Sequence, residues 1–225
     1  MKKSFARKST LMVGIVAILI STFALQVSAY NYKFVQTYEK DWWNKRNPSF
    51  FEHLQNGDCT NYVSQIAAFS GMPSWIDVNS GLKPSAANIL AGKKYRYVID
   101  ERTNYWYSLK TSAKIAGISY DYHIYSRTWS IVSDFNSFMK GKSSYVKTTY
   151  YKQSEKAAML KAAVVGDIIA LDTKHSIAIS KKDSDTKLFY TQHDTDRSQE
   201  PIATFTNWAA ENANKNYSFV LYHFK

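Results

Sequence analysis

One cysteine in 225 residues rules out an internal disulfide, and with it the stapled scaffolds common among small exported domains. Proline and glycine are sparse, at 4 and 8 residues, and no Pro/Gly-rich linker or low-complexity tract interrupts residues 30–225. No internal repeat is present, which excludes solenoid and propeller arrays. Acidic side chains are in deficit, 18 against 29 basic ones, for a net charge of +11. Long apolar runs are missing everywhere except at the N-terminus.

That exception reads as an export signal. Lys2, Lys3, Arg7 and Lys8 precede an uncharged, mostly apolar stretch from Leu11 to Leu25. Val27-Ser28-Ala29 then offers the small residues a signal peptidase prefers, so cleavage is expected after Ala29. The run is short for a spanning helix of about 20 residues, and an uncleaved anchor is the alternative. Without residues 1–29, which hold four bases and no acid, 196 residues remain from Tyr30 and the charge falls from +11 to +7. One domain with a sizeable core is expected over residues 30–225, secreted or wall-associated, with no stable membrane insertion once the signal is cut. A cationic exported protein is drawn to anionic cell-wall polymers or lipid headgroups. Nucleic acid is not an expected partner, because the lysines are scattered and no basic arm or zinc-finger spacing occurs.

What is abundant is aromatic: 17 Tyr, 12 Phe and 6 Trp, most of them expected in the core or in surface walls. Residues 32–46 read as a first helix, ending ahead of Asn47-Pro48. A second runs from Cys59 to Ser70, with Val63, Ile66, Ala67 and Ser70 at three-and-four spacing and Gly71 as its stop. Residues 72–100 read as loop with one short helix near Ala86–Ala91. Tyr105–Ala116 reads as a third helix ended by Gly117, and Tyr120–Tyr125 as a strand or extended loop. Thr128 caps a fourth helix whose inner face is Trp129, Val132, Phe135 and Met139. Ser154–Ala163 reads as helix, Ile168–Leu171, Ser176–Ile179 and Leu188–His193 as strands, Asn207–Ala213 as helix and Tyr217–Phe224 as a closing strand. Helices first and antiparallel strands second is an α+β pattern.

The lone cysteine is an inert buried thiol, an intermolecular link or a reactive group. Its neighbours favour the last. A thiol attacks only as thiolate, and the first turn of a helix lowers its pKa because unsatisfied N–H groups favour negative charge there. Asp58 is a good helix-starting residue immediately before Cys59, and backbone N–H groups of the same turn can hold an oxyanion. A thiol nucleophile also needs a nearby proton acceptor. Of five histidines, His175 stands at the edge of Ser176–Ile179 and His193 closes the following strand. Adjacent strands bring such rings together, so that one could orient the other.

Gly57-Asp58-Cys59-Thr60-Asn61-Tyr62-Val63-Ser64-Gln65 resembles the nucleophile motif of the putative amidase domain family, a bacterial branch of papain-like cell-wall hydrolases related to the cysteine/histidine-dependent amidohydrolase/peptidase domains. Further blocks follow in the same order. Thr128-Trp129-Ser130 with Val132 and Phe135 resembles that family's tryptophan-bearing helix. Gly166-Asp167-Ile168-Ile169 with His175-Ser176 resembles its Gly-Asp strand and catalytic histidine, and Tyr190–Arg197 its second histidine block. Tyr32–Asn44 departs from the family, being aromatic and charged where the family has an arginine- and alanine-rich helix, and residues 72–127 match weakly.

The resemblance implies a papain-like α+β fold with helices packed on a C-terminal antiparallel sheet. It implies Cys59 as nucleophile, His175 as base and His193 as the orienting third member. Gln192 is the alternative for the third role, since side chains alternate along a strand and only one of the pair can face His175. No cofactor and no metal is expected, and Asp194 and Asp196 read as a solvated turn. Export and positive charge make peptidoglycan stem amides the leading substrate. A non-catalytic wall-binding module and a secreted protease or toxin acting on a protein are the competing readings.

Overall fold

The computed structural model describes residues 30–50, 58–76, 97–115, 118–213 and 216–225. Two helices lead, α1 (Lys33–Trp42) and α2 (Asp58–Phe69), followed by β1 (Tyr97–Asp100), β2 (Ser108–Ile115) and β3 (Ile118–Ser126). Next come α3 (Arg127–Ser130), α4 (Val132–Lys140), β4 (Val146–Lys152) and α5 (Lys156–Ala162). The chain ends with β5 (Ile168–Leu171), β6 (His175–Ser184), β7 (Lys187–Gln192), β8 (Arg197–Pro201), α6 (Ile202–Asn212) and β9 (Ser218–Phe224). The fold class is α+β, as the sequence indicated.

The strands form a six-stranded sheet in the order β4-β9-β5-β6-β7-β8 and a three-stranded one in the order β1-β3-β2. The pairs within the larger sheet are antiparallel. This sheet is a middle layer. Ile168, Ala170, Ala178, Val220 and Tyr222 point to one side and pack with Val63, Ile66 and Ala67 of α2 and Trp129 and Phe135 of α3 and α4. Ile169, Leu171, Ile177, Ile179, Tyr190 and Leu221 point to the other and pack with Phe205 and Ala209 of α6. The unbroken apolar run Ile168–Leu171 follows from that double cover, since both faces of β5 are buried. Each large aliphatic side chain enclosed this way contributes about 1.5–3 kcal/mol.

Helix α2 is buried all round from Asp58 to Ala67, polar residues included. Its polar stripe is therefore internally bonded. Asn61 Nδ2 donates to Asp58 Oδ1 (2.7 Å), while Asn61 Oδ1 accepts from Gln65 Nε2 (2.9 Å) and Trp129 Nε1 (2.8 Å). Asn61 thus fastens the helix to α3, while Gln65 Oε1 accepts from the Tyr38 hydroxyl of α1.

Several expectations need correction. Tyr105–Ala116 is not a helix: Ser108–Ile115 is β2, paired antiparallel with β3 from Ser108↔Tyr125 to Ile115↔Ile118. The segment Leu109-Lys110-Thr111-Ser112-Ala113-Lys114-Ile115 alternates apolar or β-branched residues with polar ones, a strand period that outweighs the moderate helix propensity of its lysines and alanine. The expected fourth helix is two helices, broken at Ile131, whose backbone is extended (φ −109, ψ 123), and Ser126 rather than Thr128 holds the N-cap position. Its inner-face residues Trp129, Val132, Phe135 and Met139 are nevertheless buried. Helix α1 is shorter than residues 32–46, and β6 extends to Ser184 through much of the expected polar turn. The segments Ala86–Ala91 and 1–29 lie outside the described residues.

Candidate active site

Cys59 is the second residue of α2, so its sulfur belongs to the helix's first turn. The turn is held from outside. Asp194 Oδ1 accepts the backbone N–H of Asp58 at 2.8 Å, closing one of the donors a helix start leaves open. To do so, Asp194 adopts a left-handed backbone (φ 91) two residues past the end of β7, which brings its carboxylate back over the helix end.

His175 opens β6. Its Nε2 lies 2.7 Å from Gln192 Oε1. The Gln192 amide is oriented by its other end, where Nε2 donates to the Thr195 carbonyl (3.1 Å) and hydroxyl (2.8 Å). The network therefore assigns the oxygen of Gln192 to the imidazole, with His175 Nε2–H as donor and Nδ1 left with its lone pair. Nδ1 is 3.8 Å from Asp194 Oδ2. Cys59 Sγ, one His175 ring nitrogen and one Asp194 oxygen all lie within 4.8 Å of one another.

His193 does not sit on His175. Its Nδ1 is 2.9 Å from Asp58 Oδ2, its Nε2 is 2.9 Å from the Trp42 carbonyl, and its ring stacks on Tyr62 with centroids 3.8 Å apart. Arg46 Nε completes this cluster at 2.7 Å from Asp58 Oδ2. Register explains the split. Ala178 pairs with Thr191, so His193 shares the α2 face with Ser176 and Ala178, whereas Gln192 shares the α6 face with Ile177 and His175. The placement expected of His193 is taken by Gln192, and the histidine instead anchors the start of α2.

The electrostatics of the pair also differ from expectation. Burial pushes the Cys59 thiol up to about 11 and the nearby Asp194 carboxylate adds to the rise; hydrogen bonds from Ser176 and Thr60 recover only part of it. Burial lowers His175, against smaller opposing contributions from Gln192 and Asp194. Both shifts favour the uncharged forms, thiol and imidazole. Asp58 behaves differently: burial raises its carboxyl, but hydrogen bonds from His193 and Asn61 and the charges of His193 and Arg46 outweigh that and hold it below the usual range.

A cleft of about 330 Å³ opens beside His175, lined by Gln192, Asp194, Arg197, Phe205 and Trp208 among others. The Trp208 ring lies 5.3 Å from the imidazole. Gln192 was the sequence's alternative for the residue facing His175, and the structure places it there; Asp194 and Trp208 were not singled out as members of the site. The Asp194 signal existed, as an acidic residue directly after a histidine block, but only the turn geometry aims it at Cys59. The approach segment His53–Asn56, just ahead of the Cys59 helix, lies outside the described residues.

No curated protein and no solved structure matches the chain. The family model described as a putative amidase domain matches residues 29–221, a span that takes in α2, both histidine strands and the first half of β9. The chain belongs to the putative amidase domain family, whose description points to amide hydrolysis.

Proposed function

We propose that this protein is an exported cysteine amidohydrolase of papain-like design, with Cys59 as nucleophile, His175 as base and Gln192 as the residue that orients the base. The observation carrying this reading is the convergence of Cys59 Sγ and a His175 nitrogen within 4.8 Å, with Nε2 of the ring tied to Gln192. Because the shifts favour the uncharged thiol and imidazole, the proton moves as the bond forms. His175 Nδ1 takes the thiol proton while sulfur attacks the amide carbonyl. N–H groups of the first turn of α2 hold the oxyanion. The imidazolium then protonates the leaving amine, and water, deprotonated by the same nitrogen, hydrolyses the thioester. The amine leaves on the imidazole side, so the cleft with Arg197, Phe205 and Trp208 suits the amine portion of the substrate.

Peptidoglycan stem amides are the substrate this reading favours. The support is the signal-like segment before Tyr30, the charge of +11, and the family. Among the described residues no helix is long and apolar enough to cross a membrane.

One observation favours a non-catalytic wall-binding module instead: Cys59 is only 1 % exposed and its thiol is raised. Incubating purified cell walls with the protein and with Cys59→Ala, followed by mass analysis of released fragments, decides between them. New amine or carboxyl termini from the wild type alone support the hydrolase. Equal fragment profiles from both proteins, or none from either, would sink it.

A further inference from the structure

Cys59 Sγ, a His175 nitrogen and an Asp194 oxygen come from three separate elements, α2, the start of β6 and the turn after β7, and lie within 4.8 Å of one another. From this convergence we infer that the site binds a thiophilic divalent cation of the zinc type, and that such a cation inhibits the enzyme reversibly.

One of the three distances is close to what a metal requires, and the two to sulfur are at most 4.8 Å. With bonds of about 2.0–2.3 Å to N, O and S in a tetrahedral site, ligand atoms stand roughly 3.3–3.7 Å apart. Nδ1 of His175 and Oδ2 of Asp194 are 3.8 Å apart, so side-chain adjustments of a few tenths of an ångström suffice for that pair. The free atom on each residue is the one a metal would use. His175 Nε2–H is spent on Gln192, which leaves Nδ1 with its lone pair. Asp194 Oδ1 is spent on the Asp58 N–H, which leaves Oδ2. Such outer partners fix ligand orientation and the imidazole tautomer in metal sites. The fourth position faces the cleft that His175 and Asp194 both line, where water or an anion can complete the shell.

Charge argues the same way. A thiolate and a carboxylate side by side repel, and that repulsion helps keep Cys59 protonated. A divalent cation between them removes the repulsion: the thiol proton goes to solvent and the sulfur becomes a ligand. Nucleophile and base are then both occupied. Binding follows from the geometry alone; only its inhibitory consequence rests on the hydrolase reading.

The test is optical titration of the reduced full chain with Co²⁺ under anaerobic conditions. One equivalent should produce a near-ultraviolet thiolate-to-cobalt charge-transfer band and visible bands of tetrahedral type, both displaced by one equivalent of Zn²⁺. Cys59→Ser should abolish the charge-transfer band, and Asp194→Asn should weaken Co²⁺ binding about tenfold or more, with circular dichroism confirming that each variant is folded. X-ray absorption at the zinc edge of the wild-type protein needs no variant and should report one sulfur with nitrogen and oxygen neighbours. A nitrogen/oxygen-only shell, or no charge-transfer band at millimolar Co²⁺, overturns the site. Inhibition of wall hydrolysis by Zn²⁺ should track the same half-saturation and reverse with a chelator; an active enzyme with bound zinc overturns the inhibitory role. If the protein hydrolyses no amide at all, the spectra still decide the metal site, so the two readings fail separately.

Discussion

Two buried imidazoles stand on opposite faces of one sheet edge, and their surroundings make them different chemical objects. His175 has one nitrogen on Gln192 and the other 3.8 Å from Asp194 Oδ2, in a ring that converges with Cys59. His193 has both nitrogens occupied, by Asp58 and by the Trp42 carbonyl, and its ring face covered by Tyr62. Burial is common to both, at 8 % and 1 % exposure, so burial does not mark the reactive one. What separates them is an unspent lone pair beside a thiol, which marks the ring the proposed reaction uses. In the proposed reaction the first ring moves a proton; the second holds α2 against the strand end and the loop carrying Arg46.

Substituting each histidine should separate these roles. His175→Ala should lower kcat for amide hydrolysis by about a thousandfold or more, because both proton transfers run through that ring. Its thermal midpoint should stay within a few degrees of wild type. His193→Ala strips one partner from a buried carboxylate and opens a hole against Tyr62, a loss of about 3 kcal/mol. For a domain of this size that lowers Tm by roughly 6–12 °C, measurable by calorimetry. Equal activity losses without a stability difference would erase the distinction between the rings.

Gln192 is the finer cut. Gln192→Ala frees the imidazole to rotate, and kcat should fall about tenfold to a hundredfold with KM little changed. Gln192→Glu keeps an acceptor opposite Nε2–H and should recover part of that loss. A role confined to packing would show no such recovery.

The sequence carried much of this arrangement, and the part it did not carry has identifiable physical origins. The Cys59 helix was legible from Val63, Ile66 and Ala67 at helical spacing, and the closing strands from short β-branched and aromatic runs between polar turns. The choice between Gln192 and His193 depended on parity. In a strand, a shift of one residue exchanges the two faces, and only the pairing Ala178↔Thr191 fixes which side chain meets His175. The same limit hid Asp194, whose positive φ re-aims a carboxylate that the linear chain leaves on a turn. The strand Ser108–Ile115 failed for a different reason: its alternation was present, but lysines and alanine on a short segment suit a helix nearly as well, and only pairing with β3 decides. The helix-start argument for an acidic thiol also gave way: burial, then the nearby Asp194 carboxylate, push the Cys59 thiol up.

That last point yields the smallest effect and the most direct probe of the open centre. With the thiol pushed up to about 11, the rate of Cys59 alkylation by iodoacetamide should keep rising through pH 9 rather than level off near neutrality. Thiolate is the reacting form, so a raised pKa moves the whole profile to higher pH. Asp194→Asn removes the nearby negative charge while retaining an oxygen for the Asp58 N–H, and the remaining burial still holds the thiol above its free value. The profile should therefore shift toward lower pH by a fraction of a unit to about one unit, making alkylation at pH 7 roughly threefold to tenfold faster. Because the closed cluster around His193 contains no thiol, His193→Ala should leave that profile in place provided the measurement is made well below its lowered Tm. A plateau below pH 8 in the wild-type protein would mean that Cys59 is already paired with a protonated His175, and the concerted proton transfer proposed for the attack would have to be replaced by a preformed ion pair.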